Sequence, residues 1–103
     1  LQRAARNYVH KAYAPLKLDE VLARLDRLGE LAVEHDLDGR EEIRQLLAER
    51  IIDAARWVNR NGYPKTARGI ARRLVPLGKP YSLQSEALLD EIQRTPPRFP
   101  RED

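Results

Sequence analysis

Cysteine and methionine are both absent from this chain, tryptophan and phenylalanine occur once each, and only two histidines are present. Without cysteine there can be no disulfide, thiolate metal site or cysteine nucleophile, so the fold must be held by packing alone. That is compatible with a reducing compartment, and the cytoplasm is the expected location. The two histidines, His10 and His35, lie in different segments and have no second ligand at helical or hairpin spacing, so no metal site is expected. Long uncharged apolar runs are missing too, which excludes a membrane-spanning helix as an expectation from hydropathy. The first thirteen residues alternate charge with apolar side chains, unlike the continuous apolar stretch of a signal peptide. A chain lacking methionine altogether is expected to be a processed or trimmed piece, one domain of a longer protein.

What remains is a length of 103 residues, 42% of them hydrophobic and 34% charged. These values suit one globular domain, here residues 1–94, followed by a Pro-rich flexible tail at 95–103. Arginine outnumbers lysine fifteen to four. Two readings of that ratio are open: recognition of phosphate or carboxylate by planar guanidinium groups, or the amino-acid bias of a GC-rich coding sequence.

Charge is segregated along the chain. The formal net charge is only +3, yet residues 1–18 carry +4, residues 19–53 carry −6, residues 54–81 carry +7 and residues 82–103 carry −2. The block from Ala54 to Tyr81 holds Arg56, Arg60, Lys65, Arg68, Arg72, Arg73 and Lys79 without one carboxylate. Local charge of one sign attracts polyanions or acidic surfaces. Packing can either leave that charge exposed or set the acidic 19–53 segment against it.

Apolar periodicity predicts an all-α fold, a compact bundle of four to five helices at about 1–13, 19–35, 39–60, 65–75 and 83–94. In the first, Leu1, Ala4, Ala5, Tyr8, Val9, Ala12 and Tyr13 share a stripe that Pro15 ends. Asp19 is the expected N-cap for the second, and Gly29 in its middle either admits a neighbouring helix or is simply tolerated. The third is expected to start from Asp38 as N-cap and to stop at Asn61-Gly62. Its main apolar face runs through Ile43, Leu46, Leu47, Ile51, Ala54, Trp57 and Val58, with Ala48, Ile52 and Ala55 as a smaller patch. Arg50 on the main face should reach a carboxylate, a carbonyl or the edge of the core. The fourth turns Ala67, Ile70, Ala71, Leu74 and Val75 inward and leaves Lys65, Arg68, Arg72 and Arg73 outside around Gly69. The fifth follows Ser82 as N-cap and packs through Leu83, Ala87, Leu88 and Ile92.

Reactive constellations are scarce. Glu34-His35-Asp36-Leu37-Asp38-Gly39 resembles the opening of an EF-hand calcium loop, but Glu41 and Gln45 stand where an apolar residue and a bidentate glutamate are required, so an acidic inter-helix turn is expected instead. Ser82 and Ser85 have no histidine base beside them and read as capping residues. Adjacent carboxylates such as Glu41 and Glu42, or Asp90 and Glu91, point to different sides of a helix. No catalytic residue, metal or cofactor is expected. Among aromatics of the basic block, Trp57 shares the apolar face and should anchor the core, whereas Tyr63, in a loop before Pro64, is the stacking candidate.

The segment from Thr66 to Leu74 resembles the first helix of a helix-turn-helix unit, with Thr66, Ile70, Ala71 and Leu74 matching its threonine, aliphatic-alanine pair and leucine. The resemblance extends over residues 66–92 and implies DNA binding, in that family through a second helix in the major groove. Here Val75 occupies the usual glycine position, residues 76–81 lengthen the turn, and the second helix carries Glu86, Asp90 and Glu91, which oppose phosphate. The expected nucleic-acid surface is therefore Arg56, Arg60, Tyr63, Lys65, Arg68, Arg72, Arg73 and Lys79, acting on DNA or RNA through backbone phosphates. The second expectation is a non-enzymatic assembly domain whose basic face docks an acidic protein, with self-association permitted by the segregated charge.

Overall fold

The computed structural model describes residues 17–35 and 39–102. The expected helix at 1–13, His10 and residues 36–38 of the acidic loop lie outside the described residues. Within them the chain is all-α and has no strand. The elements are α1 (Lys17–Glu34), α2 (Glu41–Arg60), α3 (Pro64–Ala71), a 3-10 helix (Arg72–Leu77) and α4 (Tyr81–Arg94).

Helix α2 opens with Glu41 and Glu42, which suit the positive end of its dipole, and its N-cap position is Arg40 instead of the expected Asp38. It ends where Asn61-Gly62 suggested, through a Schellman turn: the Gly62 amide donates to the Asn59 carbonyl at 3.0 Å and the Tyr63 amide to the Val58 carbonyl at 3.1 Å. Gly62 sits at φ +102°, a conformation open to glycine and unfavourable for other residues. Pro64 then occupies the first turn of α3, where its missing N–H costs nothing.

The core lies where α3 packs into the second half of α2, with α4 and the 3-10 helix closing it. Ala55, Val58, Ala67, Ala71 and Leu74 are completely inaccessible, and Ile70, Ile92 and Ala48 nearly so. The buried side of α2 is thus Ala48, Ile51, Ala55 and Val58, a face rotated from the expected one. Ala48 and Ala55 are in the core, whereas Leu46 is exposed. Small side chains win because they let helix backbones approach closely at native packing density. Trp57 is half-buried against the core, and Arg50 is exposed at its edge.

Three further expectations change with packing. The fourth helix does not stay α-helical to Val75: it tightens into 3-10 geometry at Arg72, carries Pro76 inside that turn, and leaves Val75 exposed. Helix α4 starts at Tyr81 with Pro80 at its N-cap, so Ser82 is not the cap, and Leu83 and Ala87 face solvent. Ser85 is not a cap either, because it is fully buried and its hydroxyl donates to the Ala71 carbonyl at 2.9 Å. That bond ties α4 to the Ala71 carbonyl where α3 passes into the 3-10 helix and gives the buried hydroxyl its partner. Tyr81 is buried as well, and its hydroxyl donates to Glu41, joining the starts of α4 and α2. This bond, reinforced by Arg44, holds the Glu41 carboxyl below its ordinary range, and the same bond together with burial pushes the Tyr81 phenol up against the opposing charge of Arg44. Among the described residues no neighbouring element lies within 4 Å of the place a Cβ on Gly29 would take, so no described helix approaches this glycine closely.

Residues beyond α4 return across the Schellman turn. The Arg101 amide donates to the Gly62 carbonyl at 2.7 Å, and a Cβ on Gly62 would lie 2.7 Å from the Phe99 carbonyl oxygen. Asn59, buried, donates to the Thr95 carbonyl at 2.8 Å and holds the start of this return. Gly62→Ala would combine a strained φ with that collision. We expect it to lower stability by more than about 1 kcal/mol, measured as a reduced urea midpoint at constant m-value.

Candidate nucleic-acid interface

Helix α3 presents its cations as a direct consequence of what it buries. With Ala67, Ile70, Ala71 and Leu74 turned inward, Lys65, Arg68 and Arg72 fall on the opposite side at i, i+3 and i+7. Lys65 and Arg72 are exposed, Arg68 is half-exposed, and Gly69 between them is open, with no described atom within 4 Å of the place a Cβ would take. Seven residues of rise make this ridge about 10 Å long. Arg60 is exposed at the end of α2 and Lys79 is exposed in the turn before α4. Among the described residues, none of Arg60, Lys65, Arg68, Arg72 and Lys79 is ion-paired with a carboxylate.

Arg56 and Arg73 are placed differently. Arg56 Nε and Nη2 donate to Glu91 Oε2 and Oε1, both at 2.9 Å, in a bidentate pair between α2 and α4. Hydrogen bonding to Arg56 holds the Glu91 carboxyl below its ordinary range, and Glu91 in turn raises Arg56. Arg73 Nη1 donates to Asp26, which tethers the 3-10 helix to α1 beside a cavity of about 380 Å³ floored by Leu25, Leu47 and Ile51. Both cations carry compensated charge, one of them from the acidic 19–53 segment. Tyr63 is half-buried, stands at the N-cap of α3 and packs against the core, so only part of its ring is accessible for stacking.

Sequence reasoning missed two participants. Arg44 pairs with Glu41 and donates to the Leu77 carbonyl at 3.3 Å, fastening the 3-10 helix to α2. Glu102 caps α3 from the far end of the chain: its carboxylate accepts from the Thr66 amide at 2.9 Å and from Thr66 Oγ1 at 3.0 Å. Tyr63 at the N-cap supplies no side-chain bond, so this distant carboxylate serves both the orphan N–H and the positive end of the helix dipole. Leu77 lies 33 residues from Arg44 and Thr66 lies 36 from Glu102, and no local sequence signal marks either pairing.

Among the described residues no group of acidic or histidine side chains is arranged to hold a metal, and no helix is long and apolar enough to cross a membrane. No protein-family model, curated protein or solved structure matches the chain.

The two long-range carboxylates have measurable consequences for stability. Because Glu91 is held below its ordinary value of 4.5, its pair with Arg56 contributes stability that is fully present above that value and is lost as pH falls through the lower folded value. The side chains are 52% and 43% exposed, so solvent screening limits the pair to about 1 kcal/mol or less. Arg56→Ala should therefore lower the urea midpoint near neutrality, and its difference from wild type should shrink as pH falls below 4.5 and through the lower folded value of Glu91. Glu102→Ala removes the cap of α3 and should cost about 1 kcal/mol in the same measurement.

Proposed function

We propose that this domain binds nucleic acid without catalysis, contacting backbone phosphates with Arg60, Lys65, Arg68, Arg72 and Lys79. The observation that carries this reading is the α3 ridge, where Lys65, Arg68 and Arg72 flank the open Gly69 and have no carboxylate ion-paired to them among the described residues. Such cations are available to displace the counterions condensed on a phosphate backbone, whereas Arg56 and Arg73 would first have to give up a carboxylate. The ridge length matches the axial rise of about three nucleotides on one strand. Gly69 leaves room for a phosphate between the flanking guanidinium and ammonium groups. Helix α4 contributes little, since its exposed face includes Glu86 and Asp90. The interaction is thus one of position and charge, with Tyr63 as a partial stacking surface and no base-reading helix.

The test is a salt titration of affinity by fluorescence anisotropy on duplex and single-stranded DNA and RNA. Five phosphate contacts give a log-log slope of about −4 to −5 on duplex DNA and about −3.5 on a single strand. Arg68→Ala and Arg72→Ala should each reduce the slope by about 1, while Arg56→Ala leaves it unchanged. Absence of binding at low salt, or affinity indifferent to salt, overturns the proposal.

A further inference from the structure

The segment after α4 is fastened at three points around the junction of α2 and α3. Buried Asn59 donates to the Thr95 carbonyl at 2.8 Å, the Arg101 amide donates to the Gly62 carbonyl at 2.7 Å, and the Glu102 carboxylate accepts from the Thr66 amide at 2.9 Å and from Thr66 Oγ1 at 3.0 Å. The last two anchors hold Arg101 on both sides, at its own amide and at the next side chain. Its stem lies across Gly62: Arg101 Cγ is 2.8 Å from the place a Cβ on Gly62 would take, so the missing side chain at residue 62 gives the stem its seat. Gly62 stands two residues after Arg60 and three before Lys65, and at 3.8 Å per peptide its Cα is within about 8 Å of the first and about 11 Å of the second. Arg101 is therefore seated in the gap between the end of α2 and the α3 ridge. It is exposed and is not ion-paired with a carboxylate among the described residues. Residues 1–16, the longest stretch outside them, hold no Asp or Glu that could claim it.

We propose that Arg101 is a further phosphate contact of the candidate nucleic-acid interface and that Glu102 is its positioning residue. The inference rests on the nucleic-acid reading and extends it to a segment outside the acid-free block. Placed between Arg60 and Lys65, the Arg101 guanidinium joins the cation at the end of α2 to the ridge on α3. A long flexible side chain ordinarily gives up rotamer freedom when it closes on a phosphate. Here the backbone is bonded to Gly62 and the stem is already seated, so less freedom is left to lose on binding. Glu102 brings a negative charge to the same neighbourhood, but that charge is directed at two donors of Thr66 and at the positive end of the α3 dipole, which compensate it. Its work at the interface is to keep the strap, and with it Arg101, in register with α3.

The test is the salt dependence of duplex DNA binding by the full chain, read by fluorescence anisotropy, with circular dichroism showing that each variant is folded. Arg101→Ala should reduce the log-log slope by about 1 and weaken binding by up to about eightfold at about 0.1 M salt, and Arg101→Lys should keep the slope. Glu102→Ala should reduce the slope by the same amount although it removes a negative charge. The double variant should lose no more slope than either single one, because both changes delete one contact. Arg94→Ala, whose cation is paired with Asp90 on α4, should leave the slope unchanged. A full slope in Arg101→Ala, under conditions where Arg68→Ala reduces it, overturns this inference and leaves the nucleic-acid reading standing. Wild-type protein that does not bind, or binds without regard to salt, overturns both. Tighter binding at an unreduced slope in Glu102→Ala also overturns the inference, because the carboxylate is then a competitor of phosphate for the end of α3.

Discussion

The close approach of α3 to α2 is the constraint on which the rest of the structure depends. Their contact is the most extensive among the described elements, and the buried cluster around it joins Ala48, Ala55 and Val58 of α2 to Ala67, Ile70 and Ala71 of α3, with Leu74 of the 3-10 helix beside them. Alanine at such positions brings backbones together, and interiors at native density have no room to relax from that distance. The chain must then reverse within the three residues between the helices, which Gly62 allows by taking a left-handed conformation in the Schellman turn. The outward direction of Lys65, Arg68 and Arg72 follows from the same packing, since a helix that commits one side to the core has no choice about the other. The candidate interface is in this sense a by-product of the core.

Electrostatics then divides the cations of the basic block into two groups. Arg56 and Arg73 tie neighbouring elements together through Glu91 and Asp26, spans of 35 and 47 residues along the chain. Their work is to set α4 on α2 and the 3-10 helix on α1, and their charge is largely cancelled at close range. The cations of the α3 ridge have no such employment among the described residues, so their field extends into solvent. The 3-10 helix is the junction between these groups. It draws Arg73 toward α1, Leu74 into the core and Leu77 toward Arg44, and the hydroxyl of Ser85 meets the Ala71 carbonyl at its entrance.

Helix α1 is the least integrated of the described elements. Its apolar stripe was legible from Leu18, Val21, Leu22, Leu25 and Leu28, but only part of that stripe meets α2.

Local rules suffice for the helical class, the rough span of each described helix, the stop at Asn61-Gly62 and the inward set Ala67, Ile70, Ala71 and Leu74. Each follows from a feature readable along the chain: period 3.6, a residue tolerant of positive φ, a proline fit for a first turn. Which of two apolar stripes on α2 is buried is a matter of packing between helices, since alanine is too small for hydrophobicity to rank it above Leu46, yet close packing favours it. The same holds for the carboxylates that hold Arg56 and Arg73, for Glu102 as the cap of α3 and for Ser85 as a core residue. Those outcomes depend on pairs brought together by the path of the chain, and neither composition nor periodicity carries information about which distant residue will arrive. The acid-free block was plain in the sequence; that five of its cations face outward without an ion pair among the described residues was settled by packing.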